Sequence, residues 1–110
     1  MPNDVVASVS VILKRGSLYL TAKTYETYFA GLDAVILLDR DSHLFIMPVR
    51  NTSGGGYLLK LRNPAGDRII NAMDFFRDRG LDDFLERDIK VIWDMDMAAL
   101  KANNLFNPAK

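Results

Sequence analysis

The sequence predicts an α+β domain, mostly β with short helices, in which a strand–turn–strand–helix–strand unit is used twice in one compact body. Three observations predict it. Short runs rich in β-branched and aromatic residues are bounded by Gly, Asp, Asn and Ser. Two segments carry aromatic residues behind a candidate capping residue, the first at helical spacing. The same order of elements recurs in both halves. A chain of 110 residues that is 49% hydrophobic and 25% charged suits one domain with a real core rather than a disordered segment.

The elements follow in order. Val5 to Leu13 alternates in part with Ser8 and Ser10 and reads as the first strand. Lys14-Arg15-Gly16-Ser17 is a turn, with Gly16 free to take positive φ. Leu18-Tyr19-Leu20 is the second strand. Thr21 or Thr24 can cap a short helix carrying Tyr25, Tyr28 and Phe29 at i, i+3, i+4, with Gly31 at its end. Ala34 to Leu38 is a continuous apolar run, expected as a buried strand. Asp39-Arg40-Asp41-Ser42-His43 turns the chain into a return strand, Leu44 to Val49, whose Pro48 belongs at an end or an edge. Residues 51–56 form a hinge.

Tyr57 to Leu61 opens the second half as a strand, followed by the turn Asn63-Pro64-Ala65-Gly66 and the strand Arg68-Ile69-Ile70. Asn71 or Asp74 is the expected cap of a helix with Phe75, Phe76 and Arg77 that ends near Gly80. Leu81 to Asp88 is polar, with one further helical turn around Phe84 and Leu85. Lys90 to Trp93 is a strand. Asp94-Met95-Asp96 is either a turn or the acidic start of a helix over Met97 to Ala102, and the tail from Asn103 is expected to fray.

Laid together, Gly16 to Ala22 sits over Gly66 to Ala72, Tyr25 over Phe75, Gly31-Leu32-Asp33 over Gly80-Leu81-Asp82, and Ile36 to Asp41 over Val91 to Asp96. The single domain 1–110 therefore divides into a repeat over about 5–50, a hinge over 51–56 and a second repeat over about 57–102, with a tail over 103–110. An insertion near Asp83 to Asp88 separates the copies in length. Two such copies can bury faces that neither could bury alone.

On these residues the first half resembles the swapped-hairpin family of AbrB-type transition regulators, and the duplicated arrangement resembles the MraZ regulators. The resemblance covers Lys14 to Val49 and, more loosely, Lys60 to Trp93. Thr21 stands where the family usually has proline, Tyr25 stands near the helix arginine, and Gly31-Leu32-Asp33 replaces a Gly-Asp step. The resemblance implies a DNA-binding regulator and interleaved hairpins that commonly need a second copy, hence a homodimer. The cations available for DNA are Arg15, Lys23, Arg62 and Arg68, with Arg77 and Arg79 in the second copy.

Charge and composition limit the other classes. Fourteen basic residues balance fourteen acidic ones, and each side of Gly55 is neutral as well, so any polyanion contact must come from charge segregated in space. No cysteine is present, which removes disulfides, thiolate nucleophiles and thiolate metal sites. The acidic Asp4 and interrupting serines argue against a secretory leader, and no apolar run approaches the roughly 20 residues of a membrane span. A cytoplasmic protein without a cofactor is expected.

Four features could carry chemistry. Asp39-x-Asp41 and Asp94-x-Asp96 each place two carboxylates on one side of an extended chain, an arrangement open to Mg²⁺ or Mn²⁺; aspartates after an apolar strand are also ordinary turn formers. His43, the sole histidine, could serve as a general base oriented by Asp39 or Asp41, but the sequence places no convincing Ser or Thr nucleophile beside it. Gly54-Gly55-Gly56 leads into a strand rather than a helix, which suits a hinge better than a phosphate cradle. The mixed run from Arg77 to Asp88 reads as a solvated face or a protein contact. The resulting expectation is a non-catalytic binding module, with DNA as the leading ligand. A protein-interaction or assembly module is the alternative, and a small Asp-x-Asp metalloenzyme the third.

Overall fold

The computed structural model describes residues 9–81 and 86–106. The start of the first strand at Val5, the turn around Phe84 and Leu85, and the last four residues of the tail lie outside them. The chain runs β1 (Val9–Lys14), β2 (Ser17–Leu20), α1 (Ala22–Tyr28), β3 (Ala34–Arg40), β4 (His43–Val49), β5 (Tyr57–Leu58), β6 (Lys60–Leu61), β7 (Arg68–Asn71), α2 (Met73–Arg77), β8 (Arg87–Asp94) and β9 (Ala99–Ala102). The strands form one antiparallel sheet in the order β5-β3-β4-β9-β8-β1-β2-β7-β6. Its two end strands are neighbours in the chain, joined through Leu59, so the sheet curls round nearly to closure. The Leu59 N–H extends the β5–β3 pairing by donating to the Asp33 carbonyl at 2.8 Å. None of the described helices is long and apolar enough to cross a membrane.

Local chemistry accounts for the hairpins. Arg15 and Gly16 have φ of 53° and 78°, and Asp41 and Ser42 have φ of 54° and 71°. Positive φ at both central residues is the type I′ pattern, whose twist matches that of paired strands. α1 starts where Thr21 accepts the Thr24 N–H at 3.1 Å. α2 differs from expectation: its N-cap is Ala72, with no side-chain cap. The Ala72 N–H instead donates to the Gly16 carbonyl at 3.0 Å, so the β1–β2 turn meets that donor's need and neither Asn71 nor Asp74 caps the helix. Pro48 lies beyond Ile46, the last β4 residue paired with β9, where its missing N–H breaks no bond on that side.

The core follows the period-2 pattern. Val11, Leu13, Leu18, Leu20, Val35, Leu44, Ile46, Ile70, Val91 and Leu100 point inward and are essentially buried. Phe29 after α1 and Phe76 in α2 are both fully buried and seal that interior.

Three expectations change. Residues 97–102 are not helical: Met95 to Ala98 form a turn, the Met97 N–H is held by Asp94 Oδ1 at 2.9 Å, and β9 follows, paired with β8 on one side and β4 on the other. Ala, Leu and Lys favour helix intrinsically, but two waiting strand edges outweigh that preference. β8 begins at Arg87 rather than Lys90, because β1 offers partners as far as Leu13. The tail docks through residue 106. Phe106 N–H donates to the Ser42 carbonyl, Asn104 N–H donates to His43 Nδ1, both at 2.9 Å, and Leu105 and Phe106 pack on the core.

Candidate nucleic-acid interface

The four-strand arc β6-β7-β2-β1 presents an outward row running Lys60, Ile69, Tyr19, Ile12 across the sheet. The alternating neighbours, Leu18, Leu20, Ile70 and Leu13, face the core. Two residues along β1 from Ile12, Lys14 is on the outer side as well, and Arg62 follows β6 on that side at the other end. Ile12, Lys14, Tyr19, Arg62 and Glu86 line a shallow depression of about 210 Å³. The Arg62 guanidinium lies 4.9 Å from the centre of the Tyr19 ring, within the reach of a cation–π contact. Neither Lys14 nor Arg62 makes an ion pair among the described residues. Glu86 is the counter-charge on the Lys14 side.

The Arg62 end is built by a tight polar turn. The Arg62 N–H donates to the Asp67 carbonyl at 2.7 Å, and Asn63 Oδ1 accepts the N–H groups of Ala65 and Asp67. Asp67 accepts from Asn63 Nδ2 at 3.0 Å and from the Ala22 N–H at 2.8 Å, so it fastens the start of α1 to a turn 45 residues away. These two hydrogen bonds, then the nearby Arg62 charge, hold the Asp67 carboxyl below its ordinary value. At the opposite end of the pair of central strands, Ser17 Oγ donates to Asn71 Oδ1 at 2.9 Å.

The other expected DNA contacts are distributed differently. Arg15 is exposed at the tip of the β1–β2 turn, next to Lys14 in the chain. Lys23 is exposed on α1 beside a separate groove of about 460 Å³ that includes Thr24, Thr27 and Tyr28. Arg68 is half-buried: it pairs with Leu20 on the core side, its guanidinium is 3.8 Å from the Tyr25 ring centre, and its Nη1 donates to the Gly66 carbonyl at 3.1 Å. Of Arg15, Lys23, Arg62 and Arg68, only Arg62 lies in the depression on the outer sheet face. Lys14 and Lys60 were not singled out from the sequence. The signal for them is the strand period, which puts Lys14 on the same side as Ile12 and Ser10.

One member of each acidic pair finds a partner. Asp39 Oδ2 is 2.9 Å from Arg79 Nε, and that guanidinium also stacks 3.9 Å from the Phe75 ring centre and donates to the Phe75 carbonyl. Asp41 occupies the β3–β4 turn, Asp94 holds Met97, and Asp96 is exposed in the β8–β9 turn. His43 Nδ1 accepts from Asn104 as described. Among the described residues no group of three or more His, Cys, Asp or Glu side chains stands close enough to share a metal ion.

The opposite arc, β3-β4-β9-β8, has a different outer surface. Its outward row is Leu38, Phe45, Lys101, Ile92, with Ile36 and Met47 beside it. Lys101 Nζ lies 5.8 Å from the Phe45 ring centre and covers part of it. Comparison of the chain with protein-family models, with curated proteins and with solved structures gives no match.

Proposed function

We propose that this chain is a non-catalytic binding module for DNA, that its ligand sits on the outer face of β6-β7-β2-β1, and that the fold is an internally duplicated swapped-hairpin unit. The observation that carries the DNA reading is the placing of Lys14 and Arg62 around Tyr19 in one open depression, neither engaged in an ion pair among the described residues. An open sheet face with long cations and a central ring can take phosphates at its edges and a sugar or base against the ring. Zero net charge is no obstacle to this reading where the cations are locally grouped.

The strand registers support the duplication. Exchanging the halves maps Tyr19 onto its own partner Ile69, and Ile46 onto its own partner Leu100. The same exchange maps the β1–β8 pairing onto the β5–β3 pairing, with Val9↔Val91 matching Tyr57↔Val35. This favours Val35 over Val91 as the equivalent pair, one residue from the alignment of Ile36 with Val91. In a strand, one residue exchanges the core face for the outer face. Because each half lends a strand to the other, interleaving is met inside one chain, and the module works as a monomer rather than a homodimer.

The test is fluorescence anisotropy of a labelled DNA duplex titrated with the full chain at low and moderate salt. Binding that weakens steeply with salt supports the reading; absence of binding at low salt overturns it. A protein-interaction module is the second reading. It is favoured by the half-buried Ile36, Leu38, Met47 and Ile92 around Phe45 on the opposite arc, since grouped apolar side chains on an outer sheet face mark contact surfaces.

A further inference from the structure

We infer that one chain meets a DNA duplex across its dyad, with Lys14 and Arg62 as matched phosphate contacts to opposite strands. This rests on the DNA reading above and goes beyond it in assigning stoichiometry, symmetry and the two residues.

In the central pair Tyr19 lies opposite Ile69. On one side Ile12 is opposite Tyr19 and Leu13 opposite Leu18; on the other, Lys60 is opposite Ile69 and Leu61 opposite Arg68. A two-fold axis perpendicular to the sheet, between Tyr19 and Ile69, therefore exchanges β1 with β6 and β2 with β7. Under that exchange the residue after Leu13 falls on the residue after Leu61. Those residues are Lys14 and Arg62, both exposed and both cationic.

Three strand spacings across and four residue rises along the sheet put their Cα atoms about 20 Å apart. Both side chains line the depression between them. Long side chains turned toward each other from Cα atoms at that separation can reach phosphates on either side of a B-DNA groove, about 6 Å wide in the minor and 12 Å in the major. The two strands of a duplex are related by dyads perpendicular to its axis, so a two-fold pair of cations meets them equivalently. Dimeric regulators obtain the same match from two chains; here the local symmetry lies within one sheet. The match is imperfect at the centre, where Tyr19 faces Ile69 and Ile12 corresponds to Lys60. Among the described residues each cation also has an acidic neighbour, Glu86 beside Lys14 and Asp67 beside Arg62.

The experiment uses the full chain with a fluorescent duplex and with one of its strands alone. Sedimentation of the complex reads stoichiometry, and anisotropy at several salt concentrations reads affinity. The expected result is one chain per short duplex, with weaker binding of the single strand. Lys14→Ala and Arg62→Ala should each weaken duplex binding several-fold and lower the salt slope by about 1, with effects that multiply in the double variant. Lys23→Ala, on α1, should leave binding unchanged. Thermal unfolding of each variant verifies the fold. Two chains per duplex, a single strand bound as tightly as the duplex, or an effect from only one of the two variants overturns the dyad assignment and leaves DNA binding standing. No binding to either DNA at low salt overturns both.

Discussion

Replacing Gly16 by alanine tests how the two halves are locked together. Gly16 has φ of +78°, and a Cβ there would lie 2.7 Å from the Met73 Cα and 2.9 Å from its sulfur. The Met73 side chain could move, but its Cα is backbone at the entry of α2, where the Ala72 N–H is bonded to the Gly16 carbonyl. Gly31 supplies the control: its φ is +81°, yet an added Cβ would meet nothing within 4 Å. Gly31→Ala should therefore cost only the left-handed strain of an L-residue, about 1–2 kcal/mol. Gly16→Ala should add the cost of overpacking, typically about 1–3 kcal/mol. The difference between the variants, rather than either value, carries the test, because the backbone strain is shared. Urea unfolding followed by tryptophan fluorescence measures both. If the two variants lose the same stability within about 0.5 kcal/mol, comparable to ordinary surface effects, the β1–β2 turn does not seat against α2 as described.

Further outcomes follow from the same structure. Phe29→Ala and Phe76→Ala should each destabilise by about 3–5 kcal/mol, since each removes a fully buried ring; a loss below about 1 kcal/mol for either would show that its helix does not seal the sheet. Asp67 has a folded-state value below the ordinary 3.8, so the stability it contributes is complete above the unfolded value and disappears as pH falls through the folded value. Asp67→Asn should remove that part of the acid dependence, and an unchanged acid unfolding profile would contradict it. Tyr57 donates to Asp74 Oδ1 at 3.3 Å, and burial followed by the Asp74 charge raises its value above 10.0. Its contribution is present below the unfolded value and lost as pH rises through the folded one, so Tyr57→Phe should remove a late-ionising class from the alkaline tyrosinate titration. Arg79→Lys should not restore what Arg79→Ala loses, because a lysine cannot stack flat on Phe75 while reaching both Asp39 and the Phe75 carbonyl; equal stability of the Lys variant and wild type would refute this.

Short-range chemistry was legible in the sequence. Gly16, the Asp39 to His43 segment and Thr21 each act within a few residues, so the two hairpin turns and the cap of α1 could be read directly. The partial alternation with Ser8 and Ser10 marked the first strand, while the inward set of β1 and β2 came from the structure. Arg62 was legible as a cation but not as a neighbour of Tyr19, because that contact spans most of the distance between the halves. Arg68 was misleading for the same reason: nothing local shows that Tyr25 will lie beneath its guanidinium. The acidic pairs were equally silent about Arg79.

By itself, then, the sequence determined the mostly β character, the positions of the tight turns, and the absence of thiol chemistry. The tertiary structure decided which strands pair, turned residues 99–102 from a possible helix into a central strand, docked the tail against the β3–β4 turn, and brought Lys14, Tyr19 and Arg62 to one face. The physical reason is range. Turns and caps depend on φ, ψ and hydrogen bonds within a few residues, whereas strand identity depends on which edge is available. For β9 that edge was offered by β4 and β8 together, and the backbone bonds to both outweighed the helix preference of Ala99-Leu100-Lys101-Ala102.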